Sequence, residues 1–278
     1  MSKVFITDLD HTFLRSDLSV SDFTKDTWNS LTSSSIMSVA TARTYNKTRQ
    51  FLKGLHINAP MILLDGSLIV SEDKKIIDTK IIEKDMADSI IELGSRYKLY
   101  PFVLALKDLN LNEAFLYPKK RNNYQSELLK RYSGDDNLEE HSDIRAMKDN
   151  FKLVYMGNEA ELQELKDELF KVFGDNLKYI LAPEAYMNCY FLTLLHKDAD
   201  KAHGLKKVNE YLNIDYEHYT VFGDNLNDIG MFELAGVSVA VANAHADVKK
   251  IASHVSQHTN DEDAVAKYLS GMVFQKQN

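Results

Sequence analysis

Lys3-Val4-Phe5-Ile6-Thr7-Asp8-Leu9-Asp10-His11-Thr12 is the stretch on which the reading of this chain turns. Its first half is a short apolar run rich in β-branched residues, with no helix-capping pattern before it. That pattern predicts a strand at the centre of an α/β sheet. The run ends abruptly in two aspartates with one residue between them. Ligands of open α/β sheets bind just beyond the carboxyl ends of the strands, and Asp8 and Asp10 stand there. Carboxylates that close repel each other, which favours a cation between them or a raised pKa on one of them. An ordinary turn also accommodates Asp-x-Asp, so the pair by itself leaves both readings open.

The bulk properties narrow the class. A chain of 278 residues is long enough for one large domain or two ordinary ones. With 44% apolar and 27% charged residues it has the composition of a soluble globular protein. A net charge of −8 argues against nucleic acid or an anionic membrane as the main partner. The single cysteine, Cys189, lies in an apolar run and reads as a buried, inert thiol. It cannot form an internal disulfide, which fits a reducing compartment. No leader pattern precedes the first strand and no apolar stretch approaches membrane-spanning length. The expectation is a cytoplasmic protein.

Beyond the first strand the chain keeps a βαβ rhythm. Ser19 or Ser21 can cap a helix from about Asp22 to Leu31, with Val20, Phe23, Thr27 and Leu31 on its inner face. Ile36 to Ala40 is a second strand, ending in Thr41-Ala42-Arg43-Thr44 before a helix from about Tyr45. A hydroxyl at a strand end, followed by the N–H groups that open a helix, suits a phosphate; Thr41 and Thr44 serve equally as helix caps. Met61 to Leu64 is a third strand, closed by Asp65-Gly66. The middle changes texture, with strands and helices no longer in single alternation. This predicts an inserted α+β domain over 82–190, between the halves 1–81 and 191–278 of a parallel-sheet domain. Within the insert, Ser133 to Asp143 reads as a polar connection. The last third returns to βαβ, with a helix from Lys201 and a strand Tyr219 to Phe222. Gly223-Asp224-Asn225-Leu226-Asn227-Asp228 then turns into another helix.

Three of four polar pieces therefore fall at strand ends: Asp8-Leu9-Asp10-His11-Thr12, Thr41-Ala42-Arg43 and the Gly223–Asp228 turn. The fourth is Lys201. One parallel sheet would gather the three at one edge. Carboxylates are hard oxygen ligands suited to Mg²⁺, and no Cys/His cluster has zinc spacing.

In that order these motifs resemble the haloacid dehalogenase (HAD) superfamily of phosphatases. The large insert between the threonine and lysine motifs resembles its Cof-type subfamily with a C2-type cap. Val239-Ala240-Val241-Ala242-Asn243-Ala244 is also similar to the family's segment after the last aspartates. The resemblance implies a Rossmann-like parallel-sheet core bearing an inserted α+β cap. It implies Asp8 as nucleophile, forming an aspartyl-phosphate, and Asp10 as general acid and base. The Mg²⁺ ligands would be Asp8, Asp224 and the backbone carbonyl of Asp10, with Asp228 supporting them. Thr41, Lys201 and Asn227 would bind phosphoryl oxygens. His11 lines the pocket at most, and Arg43 contacts substrate or pairs with an acid. Two positions depart from the family pattern: Ala42 stands where glycine is frequent, and Asp65 where many relatives carry asparagine. An added carboxylate there repels phosphate unless it is paired or turned away. The implied activity is Mg²⁺-dependent hydrolysis of small phosphorylated metabolites, sugar phosphates first. The alternatives are a sugar-phosphate phosphotransferase or mutase, or a non-catalytic metabolite-binding module.

Overall fold

Lys3–Thr7 forms a strand, and it is central: Ser35–Val39 pairs with it in parallel on one side and Tyr219–Gly223 on the other. Val237–Ala240 and then His254–Val255 extend the sheet, again in parallel. The computed structural model describes residues 2–131, 137–184 and 187–275. The chain divides into two units, Met1–Thr79 with Asp200–Asn278, and Lys80–Ala199.

In the first unit the inner parallel strands are buried and largely apolar, as strands of a sheet covered on both faces are. Val4, Ile6, Val221 and Tyr219 are fully buried. Since all five strands point the same way, Thr7, Val39 and Gly223 end at one edge of the sheet. A three-stranded antiparallel piece, Met61–Leu63, Leu68–Val70 and Ile76–Thr79, continues from it through a parallel bridge between Ala40 and Ile62. The two chain ends are tied by side chains. Arg15 donates to both oxygens of Asp263, at 3.2 and 2.7 Å, and Ser21 and Thr24 add their hydroxyls to the same carboxylate.

Ser21 caps the helix Asp22–Leu31, accepting the Thr24 N–H at 3.0 Å. The expected inner face is wrong, however. Thr24 and Trp28 are buried, whereas Phe23 is 46% exposed. Trp28 sets the rotation of the helix: its ring meets Phe13 edge-on at 5.0 Å and its Nε1–H donates to the His56 carbonyl. The largest ring takes the core, and its N–H has a partner there.

The second unit is an antiparallel-rich sheet of seven strands. Its main path runs Leu177–Glu184, Cys189–His196, Asp149–Gly157, Phe102–Leu106, Glu113–Pro118, Leu138–His141, and Ile82–Glu83 also pairs with Asp149–Gly157. Alternation along Asp149–Gly157 separates two cores. Leu153 and Tyr155 pack with Ile90, Leu162 and Leu165 from the helices Lys84–Arg96 and Glu159–Phe173. Val154 and Met156 face Phe102, Cys189 and the helix Asn123–Arg131. Cys189 is buried there, and burial pushes its thiol pKa up. All of Cys189–His196 pairs within this sheet, which carries the unit on to Ala199. Leu138–His141 was not foreseen as a strand; it lies in the stretch expected to be polar connection, of which residues 133–136 fall outside the described residues. Its parallel partner Glu113–Pro118, not its own weak pattern, makes it a strand. Among the described residues no helix is long and apolar enough to cross a membrane.

Candidate active site

The loop after the first strand starts with Asp8, whose N–H still donates to the Phe222 carbonyl as an extension of the sheet ladder. Asp8 is therefore placed by backbone pairing, at the edge where Gly223 also ends. A single wide turn, Leu9–Phe13, follows and is closed by the Leu14 N–H on the Leu9 carbonyl.

Lys201 comes from the first turn of the helix Lys201–Leu212, capped by Asp200. The lysine is completely buried, and its Nζ lies 2.6 Å from Asp8 Oδ1 and 2.6 Å from Asp228 Oδ1. Burial by itself lowers its pKa, but Asp228, Asp8 and Asp65 outweigh that and raise it, so the ammonium stays charged. Asp228, also fully buried, uses its other oxygen to accept the N–H groups of Asp224 and Asn225 at 2.9 and 3.0 Å. A carboxylate held this way folds the 224–228 turn inward. Gly223 has to be glycine for the same reason, since a Cβ there would lie 2.4 Å from Asp228 Oδ2.

Asp224 accepts the Thr12 hydroxyl at 3.0 Å, and its carbonyl accepts the His245 N–H. Burial, then the charge of Asp228, push its pKa up to about 6. Burial also raises Asp8 well above the usual carboxylate range, with Asp228 and Asp224 adding to it and Lys201 opposing. One oxygen from each of Asp8, Asp224 and Asp228 lies within 4.8 Å of the others. The three carboxylates outnumber the one ammonium, so the cluster keeps a negative excess at full ionisation. A cluster of hard oxygens with that excess fits a divalent cation such as Mg²⁺.

The other expected residues lie around this cluster. Asp10 is held by Arg43 through two bonds, Nε at 2.7 Å and Nη2 at 2.5 Å, and Arg43 also stacks 4.3 Å above the Phe51 ring. Of the two roles open to Arg43, the structure shows pairing with an acid. Thr41 is fully buried at the end of its strand, and its hydroxyl accepts the Arg43 N–H at 3.2 Å. Thr44, not Thr41, caps the helix Tyr45–Phe51. Asn227 donates to Asp65 at 3.0 Å, so the unexpected carboxylate is paired. The exposed His11 takes a left-handed φ of 57°, and its carbonyl accepts from Asn243. Thr12 joins the site through its hydroxyl on Asp224, and its place two residues after Asp10 is the signal the sequence offers for it.

Gly66 locks the neighbouring turn. Its φ is +84°, and a Cβ would stand 1.9 Å from the Asp200 carbonyl oxygen, one residue before Lys201. Gly66→Ala is expected to cost at least ~2 kcal/mol, combining left-handed strain with overpacking against backbone. Denaturant unfolding measures this, and a loss under ~0.5 kcal/mol would show that the turn relaxes freely.

Residues 5–269 match the haloacid dehalogenase-like hydrolase family. The 5-amino-6-(5-phospho-D-ribitylamino)uracil phosphatase YitU of Bacillus subtilis is 22% identical over 267 residues, which make up 94% of this chain and 94% of YitU. Phosphatase YwpJ of Bacillus subtilis is 41% identical over 80 residues, 29% of this chain and 28% of YwpJ. Among solved structures, TM0651 from Thermotoga maritima aligns with a TM-score of 0.79 at 25% identity, covering 98% of this chain and 97% of that one. A haloacid dehalogenase-like hydrolase from Bacteroides thetaiotaomicron aligns with a TM-score of 0.83 at 21% identity, covering 98% and 100%. The chain thus belongs to the haloacid dehalogenase-like hydrolases, the enzyme family whose phosphatases its motifs resemble.

Proposed function

We propose that this enzyme hydrolyses phosphate monoesters of small metabolites, sugar phosphates first, through a covalent phosphate on Asp8. The observation that carries this reading is the buried Asp8–Lys201–Asp228 cluster beside Asp224, at the carboxyl edge of a parallel sheet. Attack by a carboxylate on a phosphate dianion brings like charges together, so the site must supply positive charge where the reaction needs it. Lys201 supplies one charge and fixes Asp8 through Oδ1, which leaves Oδ2 for attack on phosphorus. Asp8, Asp224 and the backbone carbonyl of Asp10 would hold Mg²⁺, with Asp228 orienting Asp224 through its N–H. When bound, the cation would offset the charge of the transferring phosphoryl group.

In the first half-reaction the Asp8 oxygen bonds to phosphorus, the ester P–O bond breaks and Asp10 gives its proton to the departing alkoxide. In the second, Asp10 takes a proton from water, the water oxygen bonds to phosphorus and the Asp8–phosphorus bond breaks. Arg43 has to yield at least one Asp10 oxygen for these transfers. Thr41, with its hydroxyl at the end of the second strand, and Asn227 would hold phosphoryl oxygens. We assign the inserted unit the part of the cap, which limits substrates to small molecules. The phosphorylated ribitylamino compound in the name of YitU supports that size class.

Phosphate release from a panel of metabolite monophosphates tests the reading. Hydrolysis of sugar monophosphates is expected with Mg²⁺, falling to background with EDTA and returning when Mg²⁺ is restored. Absence of release from every monoester with Mg²⁺ present would sink it. Transfer of the phosphoryl group to a second sugar, rather than to water, would identify the phosphotransferase alternative.

A further inference from the structure

Asp65 lies in the turn after the strand Met61–Leu63, and its surroundings give its carboxylate a purpose. Its backbone is fixed to the threonine turn: the Asp65 N–H donates to the Thr41 carbonyl at 3.0 Å and the Leu64 N–H to the Arg43 carbonyl at 3.1 Å. Leu64, Asp65 and Gly66 take successive positive φ values of 51°, 55° and 84°, and Gly66 abuts the Asp200 backbone. The Asp65 side chain is thus launched from a rigid base. Asn227 differs. Asn225, Leu226 and Asn227 are all exposed, and Asp65 Oδ1 accepts the Asn227 Nδ2–H at 3.0 Å. The bond ties the Asp224–Asp228 turn to the Thr41 turn.

The chemistry of the two side chains makes this bond directional. A carboxylate only accepts, so the nitrogen of the Asn227 amide must face residue 65. An asparagine at 65 could pair with Asn227 in either sense, nitrogen to oxygen or oxygen to nitrogen. With one N–H committed, the planar amide has a single direction for the other. We propose that Asp65 is a positioning residue that fixes the Asn227 amide so that its second N–H donates to a phosphoryl oxygen. This rests on the phosphatase reading and adds to it what residue 65 does. The Asp65 charge also lies near Lys201 and repels phosphate, so a single substitution mixes two effects of opposite sign.

A double-mutant cycle separates them. Wild type, Asp65→Asn, Asn227→Ala and the double variant are compared for the Kd of inorganic phosphate with Mg²⁺, and for KM and kcat on the best monoester. Asp65→Asn is isosteric. In the Asn227→Ala background it reports everything the carboxylate does apart from its bond to Asn227. The proposal expects it to be at least about threefold more harmful to Kd and KM when Asn227 is present, as coupled neighbours are. A smaller difference overturns it, whereas a merely structural role would give equal effects in both backgrounds.

The Asn227 side-chain NH₂ signals of the wild-type protein give a measurement that needs no variant and no turnover. One of the two protons should be protected from exchange and the other not; equal exchange of both overturns the proposal even if no variant folds. If no monoester were hydrolysed, the phosphatase reading would fail by itself, and the amide signals would still judge the Asp65–Asn227 bond.

Discussion

Asp8→Asn is expected to lower turnover by more than ~10⁴-fold, the scale on which loss of a covalent nucleophile is felt, while leaving the fold in place. An amide oxygen is a poor nucleophile, and the neutral side chain cannot form the acyl phosphate at a useful rate. The fold should survive because the Asp8 backbone, not its side chain, is built into the sheet through the bond to Phe222. Lys201 keeps its 2.6 Å bond to Asp228, and one member of a crowded acidic cluster loses its charge. Burial, Asp228 and Asp224 all disfavour the charged form of Asp8, so neutralising it removes a cost. The measurement pairs steady-state phosphate release with thermal unfolding. Turnover within tenfold of wild type would remove Asp8 from its assigned role, whatever the melting temperature.

Lys201→Met should give the opposite balance, with activity and stability lost together. The methionine fills a similar volume but leaves Asp8 and Asp228 without the ammonium that joins them. Removing one partner from a fully buried ion pair costs about 3–5 kcal/mol, because the remaining charge stays desolvated. Part of that loss is offset when Asp8, already pushed toward protonation, takes up a proton. Asp228 would still accept the Asp224 and Asn225 N–H groups, so the turn would loosen rather than disappear. Denaturant unfolding measures the stability change and phosphate release the activity. A variant as stable as wild type would mean that Lys201 does not hold the carboxylates together.

The sequence displayed the motifs more clearly than the contacts among them. Local periodicity and capping put Asp8, Lys201 and Asp228 at a strand end or a helix start, and the family resemblance supplied the roles expected of them. Thr12 stood in the quoted motif without a role until Asp224 was seen to accept its hydroxyl. The orientation of the Asp22–Leu31 helix was misjudged because spacing alone cannot weigh Trp28 against Phe23; the His56 carbonyl that satisfies the indole lies in a later segment. Leu138–His141 had too little pattern of its own and became a strand only beside Glu113–Pro118. Arg43 was legible as a cation near the site, but not as the clamp on Asp10.

The sequence by itself determined the alternation of strands and helices, the carboxyl ends where function would sit and the acidic character of the cluster. These depend on residues within a few positions of one another. Tertiary structure alone decided which oxygen meets which nitrogen. Lys201 reaches Asp8 across 193 positions of sequence, and Asn227 reaches Asp65 across 162. Closure of the sheet brings both pairs together, and for the buried Lys201 desolvation adds to the selection. A buried charge has to take the partner that folding brings within hydrogen-bond distance, and no local pattern records which one that is.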